Sequence, residues 1–214
     1  MKDLAQYRHI IWDFNGTILD DVAPGIAAVN TLLSRRGLPA ISSREAYHAV
    51  FRFPIEAYYR RIGLEGEPFE QLAVEWVRAY REREDGIPLR AGVAELLDAF
   101  AARGLGQSVI SASEEQMLRR QLHALGILER FDAVLGRTDI YAVDKTDIAL
   151  AWASRHRSSA TLLIGDTDHD WYTAQAAGFD CLLVAGGHQS KEYLLTLGCE
   201  VADDLWDVAG RLGV

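Results

Sequence analysis

Short apolar runs alternate with amphipathic stretches along most of this chain, and each pattern calls for its own element. The run His9-Ile10-Ile11-Trp12 has the make-up of a buried parallel strand, and it breaks into the polar turn Asp13-Phe14-Asn15-Gly16-Thr17 where such a strand should end. Similar runs predict strands at Gln107 to Ser111, Phe131 to Leu135, Thr161 to Ile164 and Cys181 to Val184. Helical spacing fills most of the intervals. Gly92 to Arg103 is a helix stopped by Gly104, Ser111-Ala112-Ser113-Glu114 opens a helix to Leu125, Lys145 starts one to Arg157, and another runs through Ala177-Gly178. This alternation predicts an α/β fold with a parallel sheet.

One segment breaks the alternation. Ile26, Val29, Leu32 and Leu33 stand at helical spacing between Pro24 and Arg36, and Ser42-Ser43-Arg44-Glu45 reads as a capping box opening a helix through Val50. Helices over Ile55 to Ile62 and Pro68 to Glu84 follow. Four helices with no strand between them predict an inserted helical cap over 21–85, with the core formed by 1–20 and 86–214. The hinges are expected near Asp20 to Ala23 and Asp85 to Leu89, where Asp-Gly and Ile-Pro punctuate the chain.

Composition narrows the function. Hydrophobic residues at 49% and charged residues at 25% of 214 are ordinary for a globular chain. A formal charge of −9 argues against nucleic acid or an anionic membrane as partner. It leaves room for a phosphate substrate, because a bound divalent cation can outweigh the local acidic field. Cys181 and Cys199 lack metal-ligand spacing and read as core fillers, so a reducing, cytoplasmic setting is expected. No apolar segment reaches membrane-spanning length, and no signal-peptide pattern precedes the first strand.

Five places along the chain suggest chemistry. Asp13 sits at a strand's carboxyl end, where open α/β sheets bind ligands, and a carboxylate there can be metal ligand, nucleophile or both. Ser111 ends the second strand beside a helix start that offers N–H groups to an anion, whereas Ser113 is expected to cap that helix. Lys occurs only at positions 2, 145 and 191, and Lys145 opens a helix, where the macrodipole disfavours a cation unless something anionic is near. Asp166, Asp168 and Asp170 crowd a strand end and repel one another unless a cation compensates. In the cap, Arg52 lies in the break Phe51-Arg52-Phe53-Pro54, where it either packs the loop or reaches an anionic group below.

In this order, these residues resemble the four motifs of the haloacid-dehalogenase-like hydrolases. Asp13-Phe14-Asn15-Gly16-Thr17 is similar to the first motif, Ser111 to the second, Lys145 to the third, and Gly165-Asp166 with Asp170 to the fourth. Gly186-Gly187-His188 looks like a loop of phosphoglycolate-phosphatase-like members. The resemblance implies a Rossmann-like doubly wound core with a helical cap, Mg²⁺, and a covalent aspartyl-phosphate. It casts Asp13 as nucleophile and metal ligand, Asn15 as a metal ligand through its backbone carbonyl, Asp166 and Asp170 as further ligands, and Ser111, Ala112 and Lys145 as the grip on the phosphoryl group. The expected substrate is a small phosphorylated metabolite, with Arg52 as the cap's contribution to binding it.

Two neighbouring activities fit less well. A phosphonate hydrolase of this kind needs a cap lysine, and none lies between residues 3 and 144. Family dehalogenases lack the acidic fourth motif that Asp166 and Asp170 supply. The departure is Asn15, which stands where most phosphatases of the superfamily carry a second Asp as acid and base. An amide cannot titrate, so slow turnover is expected, with a phosphorylated-ligand binding protein of little turnover as the alternative.

Overall fold

A computed structural model describes residues 3–141, 144–156 and 160–214. Its centre is a parallel sheet of β1 (His9–Trp12), β2 (Gly106–Glu114), β3 (Ala133–Arg137), β4 (Thr161–Gly165), β5 (Asp180–Val184) and β6 (Glu200–Ala202). The strand order is β3-β2-β1-β4-β5-β6, so the connections reverse direction between β1 and β4. In register, Trp12 pairs with Ile164, and the two strands end side by side.

Both faces of the sheet are covered, which explains the unbroken apolar runs. Ile10, Trp12, Val109, Leu162 and Ile164 point into one core. Ile11, Ile110, Leu163 and Cys181 point into the other. The first core takes in α5 (Val93–Ala102), α6 (Glu115–Ala124) and α10 (Leu205–Leu212), and the second α7 (Thr146–Arg155), α8 (Asp168–Ala177) and α9 (Lys191–Leu195).

Between β1 and β2 lies the inserted helical region: α1 (Val22–Arg35), α2 (Arg44–Val50), α3 (Ile55–Arg61) and α4 (Phe69–Arg81). Ser43 caps α2 by accepting from the Ala46 N–H at 3.1 Å, one residue later than the box sequence Ser42-x-x-Glu45 places the cap. Arg36 ties the base of α1 to Glu67 and Glu75.

Several boundaries differ from the sequence reading. The sixth strand and the helices α9 and α10 lie beyond the last element read from the pattern, because a three-residue strand is too short to show a period. The helix expected from Lys145 begins at Thr146, and its expected end at Arg157 lies outside the described residues. The second strand runs on to Glu114, with a register irregularity after Ile110, so Glu114 and not Ser113 stands at the N-cap of α6.

Candidate active site

The reversal between β1 and β4 opens a crevice at the carboxyl ends of both strands, the usual place for ligands in such sheets. Asp13 follows β1 and Asp166 follows β4, and α8 adds Asp170 from its first turn. Carboxylate oxygens of the three lie within 4.8 Å of one another, and all three residues are buried. Lys145 enters from the start of α7, with Nζ 2.5 Å from Asp13 Oδ1 and 2.5 Å from Asp170 Oδ1. Burial works to lower the Lys145 pKa, and the two carboxylates more than reverse it, holding the ammonium charged.

The cluster has more negative charge than its basic groups can settle. Burial first, then repulsion from Asp170, pushes Asp13 up to about 8 despite Lys145. Burial likewise raises Asp166. Asp170 goes the other way: burial would raise it, but Lys145 holds it low. An all-oxygen cluster of this kind fits a hard divalent cation, which would relieve the repulsion that raises Asp13 and Asp166.

Local structure leaves these oxygens unequally free. Asp170 Oδ2 accepts from the N–H groups of Asp166 and Thr167 and from the Thr167 hydroxyl, fixing the turn from β4 into α8. Its Oδ1 therefore carries any ligand role. Asp166 Oδ1 takes the Thr17 hydroxyl at 3.1 Å, and the same hydroxyl stands 3.0 Å from Asp13 Oδ2. Asp166 Oδ2 receives the His188 backbone N–H at 2.5 Å. The chain must pass tightly around this carboxylate. A Cβ on Gly16, whose φ is +76°, would lie 2.3 Å from Asp166 Oδ2, and one on Gly187 only 2.1 Å away. Asp168, the third aspartate of the run, faces elsewhere, pairing with Gln189 and Tyr193.

Asn15 sits in a network that its motif alone did not reveal. Its Nδ2 donates to Asp21 Oδ2 at 2.7 Å, and its Oδ1 accepts from the Ser113 hydroxyl at 2.7 Å. Ser113 is thus no helix cap but a partner of Asn15, delivered by the irregular end of β2. Asp21 also accepts from Tyr80 Oη at 2.9 Å and from the Gly16 N–H at 2.8 Å, and His188 Nε2 lies 3.3 Å from it. Burial would raise Asp21, but His188, Asn15 and Tyr80 together hold it ionised. Burial would lower His188, yet Asp21, Asp166 and Asp13 bring it up to about 9, so the imidazole is charged at neutral pH.

Sequence reasoning did not assign Asp21, Tyr80 or Tyr47, whose hydroxyl lies 2.9 Å from His188 Nδ1. The only signal was Asp21's nearness to the first motif. Arg90 was equally silent, though its guanidinium donates to the carbonyls of Gly16 and Ala185, each at 2.6 Å, and ties the first motif to the loop after β5.

The predicted residues do not all converge. Asp13, Asn15, Ser111, Ala112, Lys145 and Asp166 line one cavity of about 150 Å³. Asp170 adjoins it through Lys145. The structure does not bring Arg52 there. Its guanidinium donates to the His48 and Phe51 carbonyls and lies 3.6 Å over the Tyr193 ring, where cation–π contact holds it against α9.

Comparison with known proteins agrees with this geometry. The family described as haloacid dehalogenase-like hydrolase matches residues 10–184, which takes in all four motifs. The chain belongs to that family. A phosphoglycolate phosphatase of Synechococcus elongatus is 26% identical over 87% of this chain and 87% of its own length. The tyrosine-protein kinase PtkA of Mycobacterium tuberculosis is 28% identical over 86% of this chain and 64% of its own. The PtkA structure superposes with a TM-score of 0.81 at 25% identity, covering 98% of this chain and 99% of that one. A haloacid dehalogenase-like protein of Streptococcus pneumoniae, 19% identical over 96% of this chain and 98% of its own, shares the fold with a TM-score of 0.80.

Proposed function

We propose that this family member is a Mg²⁺-dependent phosphatase of a small phosphorylated metabolite, acting through an aspartyl-phosphate on Asp13. The observation that carries the reading is the Asp13 carboxylate at the end of β1, held 2.5 Å from Lys145 and grouped with Asp166 and Asp170. Phosphoryl transfer asks mainly for a positioned nucleophile and neutralised equatorial oxygens. Asp13, Asp166, Asp170 and the Asn15 carbonyl are the groups that would hold the cation, and a bound Mg²⁺ supplies positive charge against the phosphoryl oxygens. Ser111 and the Ala112 backbone bind the phosphoryl group from the side of β2. Lys145 neutralises it and, by its charge, opposes the burial and repulsion that raise Asp13. Residues 21–85 act as the cap over the core of 1–20 and 86–214, keeping water from the cavity.

Asn15 sets the pace. Being unable to give or take a proton, it leaves departure of an alkoxide unassisted and the hydrolytic water without a base, at a cost of about 10²–10⁴ in rate. Phosphoenzyme should accumulate. The test is Mg²⁺-dependent phosphate release from 4-nitrophenyl phosphate by the protein and by Asp13→Asn. The variant should lose all turnover and all acid-stable label from ³²P-substrate. Retention of either would exclude Asp13 as nucleophile.

A further inference from the structure

The cavity above Asp13 has two unlike ends. Its floor is the polar cluster, and its roof and sides come largely from the inserted helices: Phe51, Phe53, Tyr58, Tyr59, Phe69 and Trp76 all line it. No Arg and no second Lys lines it among the described residues. The cations that do are already matched: Lys145 is shared by Asp13 and Asp170, and His188 is paired with Asp21. His169, at the side, is bonded to Asp144 and stacks on Phe53 with ring centroids 4.4 Å apart. Tyr58 Oη is buried without a partner among the described residues, and burial holds it un-ionised, so it offers a hydrogen bond but no charge.

Such a wall accepts an apolar ring and rejects a second anion. A carboxylate placed against it would lose its hydration and find no cation in exchange, which is costly. The whole cavity, polar floor and aromatic wall together, is about 150 Å³, which limits the ester to a small one. An independent observation at the floor agrees. Asn15 supplies no proton to the leaving oxygen, and its amide is fully engaged by Asp21 and Ser113. A phenolate, whose conjugate acid has a pKa of about 10 as in tyrosine, leaves without that proton. An alkoxide, closer to hydroxide with water near 15.7, does not.

Resting on the phosphatase reading above, we infer that the substrate is an aryl monophosphate, its ring held by the aromatic wall of the inserted helices. Asp13 attacks phosphorus, the bond from phosphorus to the aryl oxygen breaks, and its electron pair leaves on the phenolate, which takes a proton from solvent. Water then attacks the aspartyl-phosphate. The bond from phosphorus to Asp13 breaks, the carboxylate returns, and the water's proton passes to the phosphate released.

Three esters separate the two arguments: phenyl phosphate, benzyl phosphate and 2-phosphoglycolate, each assayed with the Mg²⁺-loaded full chain. Benzyl phosphate and 2-phosphoglycolate both expel alkoxides, so their ratio reads the wall. Benzyl phosphate should lead in kcat/KM on the order of 10²-fold. Phenyl and benzyl phosphates both carry a ring, so their ratio reads the missing acid, and phenyl phosphate should lead by about 10² or more. Calorimetric titration with phenylphosphonate and phosphonoacetate reads binding without turnover, and phenylphosphonate should bind at least about tenfold tighter. If 2-phosphoglycolate equals or beats benzyl phosphate, the aryl assignment is overturned while the phosphatase reading stands. Preferential phenylphosphonate binding with no ester turned over would sink the phosphatase reading and leave the aromatic site in place. Equal or weaker phenylphosphonate binding overturns the assignment whatever the esters do.

Discussion

Asn15 looks like a loss when its motif is read alone, and the residues around it give it a use. An aspartate there would set a second carboxylate 2.7 Å from Asp21, which is buried and ionised. The amide instead donates to Asp21 and accepts from Ser113, the one orientation that satisfies an acceptor-only carboxylate. In Asn15→Asp the new carboxyl should titrate high, because the like charge of Asp21 disfavours ionisation. A proton donor would then be present at low pH. Turnover of an alkyl phosphate should rise by about 10² or more, with the gain larger at pH 6 than at pH 8. A pH–rate profile of both proteins checks this, and a flat ratio across pH would show that the amide is not what limits turnover. His9 offers a second residue-scale test, away from the site. Burial, outweighing the pull of Asp132, lowers its pKa from 6.5 to about 4, and the ring lies 2.9 Å from Ser108 Oγ. Between those two values the unfolded chain binds the proton and the folded one does not, so stability is full above 6.5 and declines as pH falls towards 4. Urea melts over that range should show a shallower decline for His9→Gln.

At the scale of elements, the sheet is tied to its covering helix by a polar link inside an apolar layer. Trp12 on β1 donates its indole N–H to Gln107 Oε1 on β2 at 3.1 Å, and Gln107 Nε2 donates to the Leu97 carbonyl on α5 at 2.9 Å. All three residues are buried. Gln107→Ala should leave the buried indole N–H unpaired, costing about 1–3 kcal/mol. The fold and the Asp13 cluster should survive, because Gln107 lies near the start of β2, away from the carboxyl ends of the strands that carry the cluster. Denaturant unfolding with an unchanged m-value and a lower midpoint is the expected result. Helix starts were less legible than helix bodies. Ser43 caps α2 one residue after the box serine Ser42, and Ser113 caps nothing, because the irregular end of β2 turns its hydroxyl towards Asn15 instead. A Ser before a helix fits both outcomes, and only the course of the preceding strand distinguishes them.

For the whole molecule, the site is an assembly of distant segments. Asp13 and Asp166 meet because β1 and β4 are neighbours in the sheet, and Lys145 reaches both Asp13 and Asp170 from the start of α7. The inserted helices join in through Tyr47 and Tyr80, and through Arg44 and His48, which bond the Gly186 and Gly187 carbonyls, each at 2.9 Å. A cation bound by the three aspartates is bound only by the folded chain, so it must stabilise it. Mg²⁺ at 100 times its Kd should add about 2.7 kcal/mol, read as a rise in Tm that EDTA reverses. Asp166→Asn should abolish that rise while leaving the metal-free protein at least as stable, since one of the repelling carboxylates is gone. A Tm insensitive to Mg²⁺ in the unmodified chain would count against the metal site.

The amino-acid sequence by itself determined the local facts: five of the strands from their apolar runs, the insertion from four helices without a strand, and the chemical type of each motif residue. These are legible because strand, helix and turn patterns repeat over a few residues and depend on near neighbours. Tertiary structure alone decided which of those residues meet. It placed Asp21, His188, Tyr47 and Tyr80 around Asn15, turned Asp168 away from the cluster, and drew Arg52 onto Tyr193. It also made one wall from aromatic side chains on α3, on α4 and in the loop between α2 and α3. The physical reason is range: contacts between residues far apart along the chain depend on strand order and packing, which no local period encodes.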